Sequence, residues 1–441
     1  MSFDTLGLSP ALLRAVRDDG YTQPTEIQSA AIPVALAGKD MLAGAQTGTG
    51  KTAGFALPVL ERLYPNGQRP QGARRFRALV LTPTRELAAQ VHDSFRSYGK
   101  HLPLTSAAIY GGVGMGGQIQ QLRRGVDVLV ATPGRLIDHL DRRGVDLSGI
   151  EILVLDEADR MLDMGFMPAL KKILAALPSS RQSLMFSATF ADEIKALAGQ
   201  FLRAPVEIQV AKRNSAAPTV AHVVHPVDAS RKRDLLQHVL AVDSRRQALV
   251  FSRTKHGADK LTTHLERFGF RCAAIHGNKS QGQRTRALRD FKDGRVTILV
   301  ATDIAARGLD IEQLPVVVNF DLPMVAEDYV HRIGRTGRNG AEGQAISLVT
   351  QEEAGLLRDI QRVLGRDIAI EPIAGFEPVR PLDIYRGGGV RRPMHGKPGG
   401  HSGKPTRARR PHHQGQGRPG GHAAGNQRRR DGRPGQRNRF G

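Results

Sequence analysis

Three carboxylates, Asp156, Glu157 and Asp159, crowd into "LVLDEADRML" directly after Ile152 to Leu155, an apolar run that reads as a fully buried strand. Anions beside a core cost several kcal/mol to desolvate unless a cation sits opposite them. A second stretch supplies the cation. "AQTGTGKT", residues 45 to 52, ends in the Gly-Lys-Thr of a phosphate-binding loop, with Ala45 where a first glycine is usual. Gly48 and Gly50 let backbone N–H groups close on phosphate oxygens, with Gln46, Thr47 and Thr49 completing the cradle. Lys51 reaches the β- and γ-phosphates, and Thr52 offers a hydroxyl to magnesium at a helix N-terminus. Asp156 then completes the magnesium shell, and Glu157 orients and deprotonates the attacking water. Asp159 is expected to contact a second domain. Hydrolysis also needs positive charge at the transferring phosphoryl group. "HRIGRTGR", residues 331 to 338, offers His331, Arg335 and Arg338. An arginine supplied in trans is worth roughly 10³ to 10⁵ in rate, so catalysis should require two domains to close.

The elements that must position these groups come in two sets. "ALVLTPTREL" (78 to 87) is followed by "DVLVATPGRLI" (127 to 137), and "ALVFSRTKHG" (248 to 257) by "TILVATDIAARG" (297 to 308). In each set an apolar strand runs into a loop and a helix-like stretch, the alternation of a parallel sheet with sites at the carboxyl ends of its strands. The two sets imply related α/β domains offset by about 170 residues, and only the first carries the glycine-rich loop. The boundaries read as a first domain over 1–208, a linker over 209–219, a second domain over 220–372 and a tail over 373–441.

Composition sets the class. The chain has 441 residues, 40% hydrophobic and 24% charged, which suits two globular domains. No apolar run approaches the roughly 20 residues that span a bilayer. The opening "MSFDTLGLSPALL" lacks a secretory pattern, so a cytoplasmic protein with no membrane partner is expected. The single cysteine, Cys272, excludes an internal disulfide framework and reads as a buried strand residue. Charge is uneven. From Arg386 onward there are 15 Lys/Arg against one acid, Asp431, so the tail carries +14 of the net +22. It has almost no large apolar side chains, should be disordered from about residue 386, and calls for a polyanionic partner.

The ordered motifs resemble those of DEAD-box ATP-dependent RNA helicases, of the bacterial RhlE-like subgroup. "GYTQPTEIQ" (20 to 28), with Phe3 upstream, is similar to the family's adenine block. "AQTGTGKT", "PTRELA" (83 to 88), "GG" (111 to 112), "TPGR" (132 to 135), "DEAD" (156 to 159) and "SAT" (187 to 189) follow. The second half adds "VFSRT" (250 to 254), "QGQR" (281 to 284), "ATDIAARGLD" (301 to 310) and "HRIGRTGR". One stretch, "GGVGMGGQIQ" (111 to 120), is richer in glycine than the pattern, and Gln118 lies in it. The resemblance implies two tandem RecA-like domains, with ATP and Mg²⁺ as cofactors. Gln28 would clamp adenine, Tyr21 would stack on it and Asp310 would contact the ribose. Ser187, Thr189 and Asp159 would couple the metal site to His331. Arg85, Gly112, Thr132, Gly134 and Arg135 in the first domain, and Arg253, Thr254, Arg284 and Thr302 in the second, would hold RNA. These are small residues and arginines, suited to backbone rather than base edges, so single strands and short duplexes would bind without regard to sequence. The implied activity is local unwinding of short duplexes and remodelling of RNA–protein complexes. Ribosomal precursors or an RNA-degradation complex are the implied settings. The alternatives are an RNA-annealing chaperone or ATP-gated clamp, and a tandem-domain DNA helicase.

Overall fold

Four-residue apolar runs become the inner strands of a computed structural model, which describes residues 2–45, 48–69, 75–210, 220–243, 246–306, 309, 311, 314–337 and 342–384. The first sheet contains β1 (Met41–Gly44), β2 (Ala78–Leu81), β3 (Ser106–Ile109), β4 (Val128–Ala131), β5 (Ile152–Leu155), β6 (Gln182–Ser187) and β7 (Val206–Gln209). Its order is β3-β4-β2-β5-β6-β1-β7, with parallel pairing throughout. The second contains β8 (Val220–Pro226), β9 (Ala248–Phe251), β10 (Cys272–Ile275), β11 (Ile298–Ala301), β12 (Val316–Asn319), β13 (Gly343–Val349) and β14 (Ala369–Ile370). Its order is β10-β11-β9-β12-β13-β8-β14, also parallel. Adding seven to each label of the first sheet yields the second, so the repeat seen in the sequence is one topology built twice.

Helices cover both faces. In the first lobe they are α1 (Pro10–Asp18), α2 (Glu26–Leu36), α3 (Lys51–Leu63), α4 (Arg85–Tyr98), α5 (Met115–Arg123), α6 (Pro133–Asp141), α7 (Ala158–Asp163), α8 (Met167–Ala175) and α9 (Asp192–Phe201). In the second they are α10 (Lys232–Ala241), α11 (Lys255–Arg267), α12 (Gln281–Lys292), α13 (Asp303–Ala306), α14 (Ala326–Ile333) and α15 (Ala354–Leu364). Helices on both faces explain why the inner strands are apolar without alternation. On β2, Val80 packs into the core of one face, while Leu79 and Leu81 pack into that of the other. The edge strands differ: β7 alternates half-buried with exposed residues, and β14 is exposed. Both sheets belong to one compact unit.

Parallel strands place all their carboxyl ends on one side, where sites collect. In the first lobe β5, β6 and β1 are neighbours, so the loops after them bring residues 156–159, 187–189, and 45 with 48–52 side by side. The loops after β3, β4 and β2 carry Gly112, Thr132 to Arg135, and Arg85 on the other half of the same edge. Nucleotide and RNA candidates are therefore partitioned along one sheet. The second lobe repeats the partition, with Arg253, Arg284 and Thr302 following β9, β10 and β11, and His331 on the helix after β12.

Two boundaries need correction. Gln209, assigned to the linker, pairs with Gly44 as the last residue of β7; residues 211–219 lie outside the described residues. The segment 373–384, assigned to the tail, packs on the second lobe instead. Ile373 and Phe376 join one core cluster, Leu382 and Ile384 another, and Arg231 lies 4.7 Å over the Phe376 ring. Its Pro/Gly-rich composition hides four apolar anchors. Residues 385–441, expected to be disordered, lie outside the described residues. Cys272 is half-buried at the start of β10 and its thiol donates to the Thr262 carbonyl at 3.3 Å. Among the described residues no helix is long and apolar enough to cross a membrane.

Candidate active site

The loop after β1 is shaped by glycine. Gly48 and Gly50 sit at φ +81° and +86°, a region that other residues enter only with strain. Gly50 caps α3, and Lys51 opens that helix with its side chain 7% exposed. Its ammonium has no hydrogen-bond partner among the described residues. A buried cation without a partner at a helix N-terminus is matched to an anion such as a phosphate. Ala45 donates to the Ser187 carbonyl at 3.1 Å, fixing the loop to β6. Gln46 and Thr47 lie outside the described residues.

Across from it, Asp156 is buried at the end of β5. Its backbone N–H donates to Leu81 O at 3.0 Å, and its Oδ1 accepts from the Glu157 N–H at 3.0 Å. Burial pushes its carboxyl up to about 7, the Lys51 ammonium opposes that rise, and Glu157 and Asp159 add to it. A cation arriving beside such a carboxyl favours its ionised form. Among the described residues no group of three or more His, Cys, Asp or Glu could hold a metal. Magnesium fits here all the same, because it is commonly held by one or two protein oxygens plus phosphates and water. The Asp156 carboxylate and the Thr52 hydroxyl are the oxygens that could serve. Glu157 sits at φ +53°, ψ 54°, a left-handed backbone that costs a non-glycine residue about 1–3 kcal/mol. It precedes α7 but makes no side-chain cap, which leaves its carboxylate for other work.

The second lobe closes the site. Glu157, Asp159, Arg160, Asp163 and Ala188 of the first lobe and His331 and Arg335 of the second line one cavity. Arg335 is buried, and its Nη1 donates to Leu309 O at 2.8 Å. Its neighbour Arg332 clamps the helix: Nε and Nη2 bond Asp303 at 2.6 and 2.7 Å, and Nη1 bonds Asn319 Oδ1 at 3.1 Å. A second bridge lies nearer the RNA candidates. Arg284 Nη2 bonds Glu86 Oε2 at 2.8 Å and Gln281 Nε2 bonds Glu86 Oε1 at 2.8 Å, all three from opposed lobes and buried or nearly so.

The candidate RNA residues gather at helix N-termini, which attract phosphate. Arg85 opens α4, Thr132 caps α6, Thr254 caps α11, and Arg284 lies in the first turn of α12. Thr302 precedes α13, accepting from the Ala305 and Ala306 N–H groups at 2.9 Å. Gly134 is exposed with open space around it, and Arg85 lies so close over Gly112 that a Cβ there would come within 1.9 Å of its Nη1.

Family comparisons agree with this geometry. A model described as DEAD/DEAH box helicase matches residues 25–197, and one described as helicase conserved C-terminal domain matches 231–340. The DEAD-box ATP-dependent RNA helicase CshA of Bacillus cereus is 43% identical over 365 residues, covering 83% of this chain and 68% of the relative. The chain belongs to the DEAD-box RNA helicase family. The RNA helicase CrhR of Synechocystis is 45% identical over 87% of this chain and 77% of its own length. Among solved structures, S. cerevisiae Dbp5 bound to RNA and ADP BeF3 aligns with a TM-score of 0.77 at 32% identity, over 84% of this chain and 95% of that one. A Dbp5 variant bound to Gle1 and IP6 scores 0.69. The two lobes, joined by the Glu86 bridge, thus resemble the RNA-bound member more than the other.

Several DEAD-box candidates are engaged differently from the sequence reading. Gln28 is fully buried and presents no open edge: Oε1 accepts from the Thr25 N–H at 2.9 Å and Nε2 donates to Gly50 O at 3.1 Å. It ties the adenine block to the phosphate loop. Tyr21 is the exposed member of the pair, with its ring edge-on to Phe3 at 6.3 Å and its hydroxyl 3.1 Å from that of Tyr98. Arg135 bonds Val113 O and Gln118 Oε1 at 3.2 and 3.0 Å, so both it and Gln118 shape the glycine-rich loop. Arg284 is held by Glu86, and Arg253 by Glu353 at 3.1 Å. Asp159 bonds within its own lobe, accepting from the Ala188 N–H at 3.1 Å, and faces the second lobe only across the cavity. Ser187 Oγ accepts from the Thr189 N–H at 3.2 Å. Asp310 and Arg338 lie outside the described residues. Arg160, Arg332 and the Glu86 bridge were not singled out from the sequence. Arg332 and the Glu86 bridge owe their contacts to partners elsewhere along the chain, and no spacing rule points to such partners.

Proposed function

We propose that this ATP-dependent RNA helicase works through a split active centre, with nucleotide seated on the first lobe and cations lent by the second. The observation that carries the reading is the shared cavity, where Glu157 and Asp159 meet His331 and Arg335. Gly48, Gly50 and Lys51 bind the phosphates, Tyr21 supports the base, and Glu157 takes the proton of the attacking water. Arg335 supplies charge that strengthens in the transition state. Bound magnesium, held by Thr52 and Asp156, would add charge neutralisation of the phosphate oxygens.

RNA lies along the other half of both sheet edges, held by helix N-termini and by Arg85, Thr132, Gly134, Arg253, Thr254 and Thr302. ATP and RNA each favour closure, so each raises affinity for the other. Closure bends one strand and unpairs a short stretch; hydrolysis reopens the lobes. We read the chain as RhlE-like and cytoplasmic on its sequence blocks, and its +14 segment as reach for polyanions. ATPase stimulation by single-stranded RNA against DNA, with strand separation measured against duplex length, tests this. Stimulation by RNA and a steep loss of unwinding with length are expected. Processive unwinding of long duplexes in one binding event would contradict it. Crosslinking to RNA in cells, followed by sequencing of the bound fragments, distinguishes ribosomal precursors from messages under decay.

A further inference from the structure

Arg160, in the first turn of α7, takes no part in the mechanism above. Its side chain is 6% exposed, and Nε and Nη2 have no hydrogen-bond partner. Taking a guanidinium out of water costs several kcal/mol unless the donors are satisfied. The side chain does not hold its own helix, since the main chain does so: Arg160 N–H donates to Asp159 Oδ1 at 3.0 Å, and Met164 N–H to Arg160 O at 3.1 Å. Burial draws its pKa down, while Glu157 and Asp163 of its own lobe and Asp303 of the other draw it back.

The cavity that Arg160 lines offers about 30 Å³ to water centres, room for about one or two molecules. His331 Nδ1, on the opposite wall, also has no hydrogen bond among the described residues, its nearest acid being Asp328 Oδ1 at 3.7 Å. An adjoining pocket shares His331 and Arg335 and adds Asp303 and Arg332. The Asp303 carboxylate takes two donors from Arg332 and retains lone pairs for more. Unpartnered donors of Arg160 on one lobe thus face the His331 ring of the other across a water-sized space, with the Asp303 carboxylate in the adjoining pocket.

We propose that Arg160 is a positioning residue for lobe closure, bridging through ordered water to His331, with the Asp303 carboxylate adding attraction across the lobes, and so holding α7 against α14. The bridge exists only when the lobes meet. It therefore lowers the free energy of the closed state and leaves the open state unaffected. The inference rests on the two-lobe mechanism proposed above.

The test uses the full chain labelled with a fluorophore on each lobe, ADP–BeF3 and a single-stranded RNA oligonucleotide. In Arg160→Met the RNA concentration for half-maximal closure should rise by about fivefold or more, within the usual range of coupling between sites. RNA-saturated kcat should fall with it, while the RNA-free KM for ATP and the Tm stay at wild-type values, and Arg160→Lys should recover part of the loss. Three results would overturn the inference: closure unchanged in Arg160→Met, closure made easier because an unpaired buried charge has been removed, or a loss that tracks a lowered Tm and is not relieved by lysine. If the wild-type chain showed no RNA-stimulated ATPase, the two-lobe mechanism itself would fail, which separates the two.

Discussion

Burying Lys51 without a partner works against folding, because its ammonium gives up water and gains no hydrogen bond. Its retention is explained by the phosphate it waits for. Lys51→Ala should therefore lower ATP hydrolysis by about 10²-fold or more while leaving the Tm equal to or above wild type, measured by steady-state kinetics and calorimetry on one preparation. Gly50 makes a second residue-scale case. A Cβ there would fall 2.3 Å from Gln28 Nε2 at a backbone φ of +86°. Gly50→Ala should thus break the Gln28 contact and weaken nucleotide binding by about tenfold, equal to about 1.4 kcal/mol, as read by titration calorimetry. Residue types and spacing single out Lys51, Asp156 and Glu157 as candidates, because phosphate and metal chemistry limits what can stand there, and the fold sets them on nearby strand ends. They do not reveal the longer-range contacts of Gln28 with Gly50, Arg135 with Gln118 and Arg284 with Glu86, which only the folded chain brings about.

The helix that leads into Arg335 is α14, and its seat on β8 is pH-sensitive. His222 of β8 lies 3.0 Å through Nδ1 from the Tyr329 hydroxyl of α14, with the rings stacked at 5.8 Å. Burial, with help from nearby Arg366, holds its imidazole down at about 4 against an ordinary 6.5. The fold therefore keeps His222 neutral where the unfolded chain would protonate it. Its contribution to stability is present above about pH 6.5 and is lost as pH falls from 6.5 towards 4. His222→Gln should flatten the dependence of the urea midpoint on pH within that window; an unchanged slope would count against the account. The inner strands of both sheets were legible because helices on both faces demand unbroken apolar runs. Edge strands β7 and β14 were not, since "VEIQ" and "AI" are short and partly solvated. The anchors Ile373, Phe376, Leu382 and Ile384 were missed because isolated apolar residues in a Pro/Gly-rich stretch leave no periodic signal.

At the scale of the molecule, two lobes of one topology are joined where each contributes a buried charge. Glu86 and Arg284 lose water as they meet, so removing one leaves the other unpaired in the closed state only. Glu86→Ala should weaken the coupling between ATP and RNA binding by about tenfold, and a double-mutant cycle with Arg284→Ala should show that the two losses are not additive. The +14 segment is proposed to act at longer range. Deleting residues 386–441 should weaken RNA affinity chiefly at low salt and reduce the slope of log affinity against log salt by about 0.7 for each phosphate it neutralises, with RNA-independent ATPase unchanged. The duplication and the charge asymmetry were both visible in the sequence, whereas the way the lobes meet was not. The most direct test of the split centre is kcat for ATP hydrolysis at saturating RNA in Arg335→Ala. The account predicts a fall of about 10³-fold or more, with ATP still bound; a kcat equal to that of the wild-type chain would contradict it.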